Sequence, residues 1–155
     1  MIIDLGIYQL DIDPERTAAF YAEADGISCD CDGCRNYAKA VAVLPSPVLE
    51  LFRQFGIDPA KPAEVYVNSA PTQDTAGYGG FYHVCGTVLE GKSPWIKVDG
   101  KHFRFDEQYR VDLCDGYSIF ITDEIHLLEE GFPHPVIQIE IDFLLPWVLP
   151  ITKPY

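Results

Sequence analysis

The chain has 155 residues, of which 48% are hydrophobic, 13% aromatic and 23% charged, a composition typical of an ordinary globular domain. Eleven Lys and Arg residues stand against 24 Asp and Glu residues, so the net charge is −13. This charge argues against nucleic acid and anionic membrane surfaces as partners, because like charges repel. No linker or internal repeat divides the sequence, and we expect residues 1–155 to form a single domain.

The N-terminus, Met1-Ile2-Ile3-Asp4, alternates like a strand and has neither the basic region nor the apolar run of a secretory signal. No stretch reaches the roughly 18 apolar residues that span a bilayer. The five cysteines, an odd number in a chain large enough to fold unaided, indicate reduced thiols or metal ligands. We therefore expect a soluble, cytoplasmic protein with no membrane partner.

Capping residues predict the first helix. Asp13 is placed as an N-cap, and Pro14 stands at the first helical position, where its missing N–H costs nothing. The predicted helix continues from Glu15 to Asp25 and is closed by Gly26.

Two further helices are predicted before residue 57. One spans Arg35 to Leu44, with Asp32 placed to cap it. The other begins with Ser46 as the cap and Pro47 as the first residue, carries an apolar stripe, and ends at Gly56.

From Ala63 onward the pattern changes to strands, except that the Gly, Ser, Thr and Pro content of residues 68–80 predicts one long, flexible loop. The dipeptides Asp99-Gly100 and Asp115-Gly116 are typical of tight hairpin turns. The strands that they separate are Trp95 to Val98 and Lys101 to Phe105, and Tyr109 to Cys114 and Tyr117 to Thr122.

In the last predicted strand, apolar and polar residues alternate from Ile137 to Phe143. One face of this strand should be buried and the other solvated, as in an antiparallel sheet. Helices followed by hairpins predict an α+β fold in which N-terminal helices pack on a mainly antiparallel sheet built from consecutive hairpins.

Three cysteines, Cys29, Cys31 and Cys34, lie within six residues. The two-residue spacer between Cys31 and Cys34, with Gly33 at the sharp turn, allows two thiolates to bind one Zn²⁺. Three soft ligands at this spacing predict a structural zinc site. The sequence contains no second Cys-x-x-Cys, so a fourth ligand must come from a distant segment.

The best candidates for that fourth ligand are His83 and Cys85, which lie two positions apart on one predicted strand and so share a face. Cys114, beside a predicted hairpin turn, is a third candidate. His83 also follows a Gly-Gly pair, so it is expected either at the rim of a pocket or hydrogen-bonded across the sheet.

A redox role for Cys31 and Cys34 is the alternative to metal binding. Asp30 and Asp32 flank the thiols and disfavour thiolates in the absence of a cation, and only Arg35 opposes them locally. A bound dication would reverse this penalty, so the acidic setting weakens the redox hypothesis more than the metal hypothesis. Ordinary reduced cysteines in a capped loop remain a further interpretation.

Four segments between Cys29 and Leu149 carry a family resemblance. They are Cys29–Tyr37, Gly56–Tyr66, Gly79–Val84 and Leu145–Leu149. Together they resemble an uncharacterised family of small bacterial cytoplasmic proteins with a CxCxxCxNY motif. The resemblance implies a bacterial cytoplasmic origin and assigns no activity.

No HExxH or GxSxG motif is present, and the sequence therefore favours a non-catalytic binding or assembly protein with a zinc site. Two other classes stay open. One is a thiol redox enzyme that uses Cys31 and Cys34. The other is an acidic inhibitor or immunity-type protein that binds a basic protein partner through its negative surface.

Overall fold

The computed structural model describes residues 1–155 and has the predicted α+β fold. The helices are α1 (Pro14–Glu23), α2 (Asp32–Ala40) and α3 (Ser46–Phe55). The strands are β1 (Ile2–Leu5), β2 (Tyr8–Ile12), β3 (Glu64–Thr72), β4 (Thr75–Glu90), β5 (Trp95–Lys97), β6 (Phe103–Phe105), β7 (Val111–Cys114), β8 (Tyr117–Thr122) and β9 (Val136–Pro146).

Seven strands form one antiparallel sheet with the order β1-β2-β4-β9-β8-β7, and β3 also pairs with β4. The long strand β4 pairs along one edge with β3 and then with β2. Along its other edge it pairs with β9 from Thr75 to Cys85. Strands β5 and β6 form a separate hairpin, so β4 and β9 are the centre of the fold.

The core between helices and sheet is rich in aromatic side chains. The ring of Phe52 in α3 lies 4.9 Å from that of Tyr82, and the ring of Tyr37 in α2 lies 5.2 Å from that of Tyr78. All four side chains are buried, and such aromatic pairs add packing energy beyond the area they bury. The hydroxyls of Tyr37 and Tyr82 also hydrogen-bond each other, which joins α2 to the middle of β4.

The predicted caps of α1 and α3 are confirmed. Asp13 accepts a hydrogen bond from the backbone N–H of Arg16 at 3.0 Å, and Gly56 adopts a left-handed conformation with φ +77° at the end of α3. The predicted end of α1 is wrong: the helix stops at Glu23, because Ala24 is already extended with ψ 149°.

The other two helix starts differ from prediction by one to three residues. Helix α2 begins at Asp32, so Cys31 is its N-cap and Asp32 lies in the first turn. Helix α3 begins at Ser46, with Pro45 in the cap position. In both cases the predicted cap residue is the first helical residue.

The loop predicted over residues 68–80 is wrong. These residues complete β3, turn at residues 73 and 74, and begin β4. The glycines mark close packing: a Cβ on Gly79 would lie 2.7 Å from the ring of Tyr66, and one on Gly77 would lie 2.9 Å from Oδ1 of Asn68. Glycine here admits side chains of the neighbouring strand.

Both predicted hairpins are present. Asp115 and Gly116 form the two-residue turn between β7 and β8, with Gly116 at φ +82°. The β5–β6 turn is wider than predicted and runs over residues 98–102. In β9 the apolar residues are buried as predicted, but Gln138 is buried too, which the alternation did not indicate. None of the helices combines the length and apolar character needed to cross a bilayer.

Candidate metal centre

The three clustered cysteines lie where an irregular segment enters α2. Residues 24–31 have no helix or strand and connect α1 to α2. Cys29 and Cys31 end this segment, whereas Cys34 lies in the first turn of the helix. All three sulfurs therefore lie at the N-terminal end of α2.

The three sulfur atoms lie within 4.8 Å of one another. Sγ of Cys29 and Sγ of Cys31 are 3.3 Å apart. Zn–S bonds of about 2.3 Å in a tetrahedral site separate two sulfurs by about 3.8 Å. The spacing in this cluster brackets that value, so the geometry allows one ion to bind all three thiolates with small adjustments.

The surroundings of Cys31 favour the thiolate form of its side chain. Its side chain is exposed at the N-cap of α2. The backbone N–H of Cys34 lowers the pKa of the Cys31 thiol most, and the thiol of Cys29 lowers it further. Backbone N–H groups at a helix start stabilise a thiolate in this way.

The pKa of the Cys34 thiol is shifted in the opposite direction. Its side chain is partly buried, and burial followed by contacts with the thiols of Cys29 and Cys31 raises its pKa to about 12. In the metal-free cluster the thiolate form is therefore favoured more at Cys31 than at Cys34. A bound cation would offset both the burial and the repulsion among the three sulfurs.

Side chains from distant segments support the helix start at Gly33. The hydroxyl of Tyr78 in β4 donates to the carbonyl of Gly33 at 2.7 Å. A Cβ on Gly33 would lie 2.7 Å from the hydroxyl of Tyr155 and 3.1 Å from Cγ2 of Val67. The tyrosines carried no local signal in the sequence, because they approach the cysteines only through the tertiary fold.

Local charges at the cluster are partly neutralised. Arg35 forms an ion pair with Asp32 at 3.0 Å, between Nη1 and Oδ1. Arg35, expected to oppose both Asp30 and Asp32, is therefore paired with Asp32 alone. A cation at the three sulfurs remains electrostatically favoured.

His83 and Cys85 are not part of this three-cysteine group. His83 is buried, with Nδ1 2.8 Å from Oε2 of Glu129 and Nε2 3.0 Å from Oε1 of Gln138. Both ring nitrogens are engaged, which agrees with the expectation of a histidine bonded across the sheet and not with a pocket rim. The partners lie 46 and 55 residues away, so no sequence pattern indicated them.

The remaining two cysteines also lie outside the group. Cys85 is buried, and its Sγ accepts a hydrogen bond from Nη1 of Arg16 at 3.6 Å; burial raises the pKa of this thiol. Cys114 ends β7 and is partly buried. The structure therefore assembles three of the five cysteines.

Comparison with known proteins gave no match: no family model, no curated protein and no solved structure is similar to this chain. The resemblance to a bacterial family in four segments therefore stays a prediction. The functional evidence is the geometry of the cysteine cluster.

Proposed function

We propose that this protein is a binding or assembly protein in which Cys29, Cys31 and Cys34 hold a structural zinc ion. The observation that carries the proposal is the convergence of three sulfurs within 4.8 Å. Zinc accepts thiolate ligands in tetrahedral sites, and it stabilises segments that lack a hydrophobic core of their own. Residues 24–31 are such a segment, since Ile27 is their only large apolar side chain.

The three-cysteine group supplies no fourth protein ligand. Cys29 and Cys31 are both exposed, so an ion held by the three sulfurs would retain an open coordination site. Water fills such a position in an isolated protein. A side chain from a binding partner can replace the water, which links the site to an assembly role.

The test is metal analysis of protein purified without added metal. We expect one zinc per chain and, after extraction with a chelator, a fall in melting temperature of about 5–10 °C, the effect of a modest structural site in a domain of this size. The variant Cys31→Ser should lose the metal, whereas the matched control Cys114→Ser should retain it. Protein that contains no zinc and melts unchanged after chelation would contradict the proposal.

A second candidate is a thiol redox enzyme, favoured by the different environments of two cysteines. Cys31 is exposed at the helix start and Cys34 is partly buried behind it. In this reaction the Cys31 thiolate attacks a disulfide of a substrate and releases one substrate thiolate. Cys34 then attacks the mixed disulfide, so that Cys31 and Cys34 are oxidised by two electrons and the substrate is reduced to a dithiol.

Thiol counting separates the two candidates. Mild oxidation of metal-free protein should remove two thiols if the redox proposal holds, and Cys34→Ser should trap a mixed disulfide with a small disulfide substrate. Absence of the mixed disulfide rules out the redox role. Retention of all five thiols under the same oxidant also contradicts the redox role, and metal analysis then tests the zinc site by itself.

A basic protein partner is proposed on charge alone, because the chain carries a net charge of −13. An inhibitor or immunity-type protein would dock on such a partner through its acidic surface. Affinity should then fall as salt is raised, since screening weakens attraction between exposed charges. A captured partner whose affinity is independent of salt contradicts this role.

A further inference from the structure

A cavity of about 440 Å³ lies between the β5–β6 hairpin and the sheet, on the face of β3 that carries Tyr66 and Asn68. We call it the aromatic groove, after four of the residues that line it. They are Tyr66, Trp95, Phe105 and Phe120. Its volume lies in the range of small-molecule sites.

Three of the four aromatic side chains, Trp95, Phe105 and Phe120, form a connected wall of the groove. The ring of Phe105 lies 4.9 Å from that of Trp95 and 5.5 Å from that of Phe120, both in edge-to-face geometry. Trp95 and Tyr66 remain 53% and 50% exposed. Two large rings therefore stay accessible to a ligand while the third and fourth hold the wall in place.

The groove carries an excess of negative charge. Three carboxylates, those of Glu107, Glu140 and Asp142, line it together with the single guanidinium of Arg110. Arg110 bonds two of them: Nε lies 2.8 Å from Oε2 of Glu107, and Nη1 lies 2.9 Å from Oδ2 of Asp142. The carboxylate of Glu140 is left without a cationic partner.

Glu140 is also the least solvated of the three. Its Oε1 accepts one hydrogen bond, from Nε2 of Gln138 at 2.8 Å. Burial raises the pKa of this carboxyl; the hydrogen bond from Gln138 and the nearby His126 offset part of that rise, and the charge of Glu64 adds to it. Burial also raises the pKa of the Tyr66 phenol, and the charges of Glu140, Glu64 and Asp142 raise it further. A region of negative potential therefore lies beside the accessible rings.

One cationic side chain of the protein already packs on an aromatic ring of the groove. The guanidinium of Arg110 lies over the ring of Phe105, 4.7 Å from its centroid. The faces of aromatic rings carry partial negative charge and attract cations at this distance. No cation of the protein lies over the ring of Trp95 or over that of Tyr66.

We propose that the aromatic groove binds a small organic cation, an ammonium or alkylammonium compound, against Trp95 and Tyr66 and beside Glu140. A neutral apolar ligand would desolvate the Glu140 carboxylate without compensation. An anion would be repelled by the excess of carboxylates. An organic cation offers apolar surface to the rings and positive charge to Glu140, as in aromatic cages that hold quaternary ammonium groups.

The probe pair for the test is choline and its neutral isostere 3,3-dimethylbutan-1-ol, each titrated into the full chain and followed by NMR. Choline should shift the side-chain signals of Trp95, Phe105 and Phe120 in a saturable way at about millimolar concentration. The isostere should bind at least about tenfold more weakly, because it lacks the charge that the rings and Glu140 attract.

Two variants and two matched controls locate the site. Trp95→Leu and Glu140→Gln should each weaken choline binding by about fivefold or more. Phe103→Leu changes an exposed aromatic residue of the same hairpin outside the groove, and Glu130→Gln removes one exposed carboxylate elsewhere. Both controls should bind choline like the unmodified protein.

Three outcomes overturn the proposal. They are equal affinity for choline and its isostere, absence of saturable shifts in the unmodified protein, and equal weakening by variants and controls. The first two use unmodified protein, so they remain decisive if a variant fails to fold, which its circular dichroism spectrum reveals.

Discussion

Nε2 of His83 lies 3.0 Å from Oε1 of Gln138, which faces it across the β4–β9 pair. The same oxygen accepts the backbone N–H of His126 at 2.8 Å, and Nε2 of Gln138 donates to Glu140. This fixes the orientation of the amide, so Nε2 of His83 must carry a hydrogen. Nδ1 of the same ring lies 2.8 Å from Oε2 of Glu129, so both nitrogens of this buried ring have a polar partner.

The variant Gln138→Leu should lower the free energy of unfolding by about 2–4 kcal/mol. Leucine would leave the N–H groups of His83 and His126 without an acceptor, and unpaired buried polar groups cost about 1–3 kcal/mol each. Chemical denaturation measures the change. Gln54→Leu on the exposed side of α3 is the matched control and should alter stability by less than about 0.5 kcal/mol. Equal effects of the two substitutions would show that the Gln138 hydrogen bonds are unimportant.

Glu140→Gln should stabilise the protein at neutral pH. Burial raises the pKa of this carboxyl in the folded state above its ordinary value of 4.5, so folding favours the protonated form. The stabilisation is fully present below the ordinary value and is lost as the pH rises through the folded-state pKa. Glutamine mimics the protonated acid at every pH.

The advantage of Glu140→Gln should therefore be largest near about pH 8 and disappear near about pH 4. Melting temperatures of both proteins across this range measure it. The control Glu130→Gln, at an exposed position, should show a smaller dependence. An advantage that grows toward low pH would reverse the sign and contradict the assignment.

Gly56→Ala should destabilise the protein by about 2 kcal/mol or more. Gly56 has φ +77°, and an added Cβ would meet the carbonyl oxygen of Pro14 and lie 3.1 Å from the backbone nitrogen of Ala18. Left-handed strain and the clash with α1 act together. Gly100→Ala is the control, since a Cβ there meets nothing within 4 Å. Thermal unfolding of both variants would decide the prediction, and a neutral Gly56→Ala would contradict it.

Cys31 should react with iodoacetamide at least about tenfold faster than Cys34 in metal-free protein near about pH 7.5, because the thiolate is the nucleophile. The pKa of Cys31 is lowered and that of Cys34 is raised to about 12. Raising the pH should narrow the difference as Cys34 ionises. Peptide mass mapping after timed quenching gives both rates. Added zinc should protect both residues, and equal labelling rates without metal would count against the assigned environments.

Features set by a few neighbouring residues were predictable from the sequence. The cap at Asp13, the end of α3 at Gly56 and the convergence of the cysteines each depend on fewer than about seven consecutive residues. Cys31, and not Asp32, is the N-cap of α2, because the helix begins three residues before the predicted start at Arg35.

Features set by distant residues were not predictable. Gly77 and Gly79 signal a loop when they are considered alone, yet in the structure they admit the side chains of Asn68 and Tyr66 from the neighbouring strand. The burial of Gln138 follows from His83, which reaches it only when β4 pairs with β9. Tertiary contacts of this kind override local pattern.

Strand β3 separates the two proposed sites. Val65 and Val67 pack against the core, with Val67 beside Gly33 at the start of α2, whereas Tyr66, between them, lines the aromatic groove. Since side chains alternate along a strand, insertion or deletion of one residue before Val65 would exchange the two faces. The ring of Tyr66 would then be forced beneath the helix, and a valine would replace it in the cavity. A shift of one residue in the register of this strand would therefore disrupt both proposed sites.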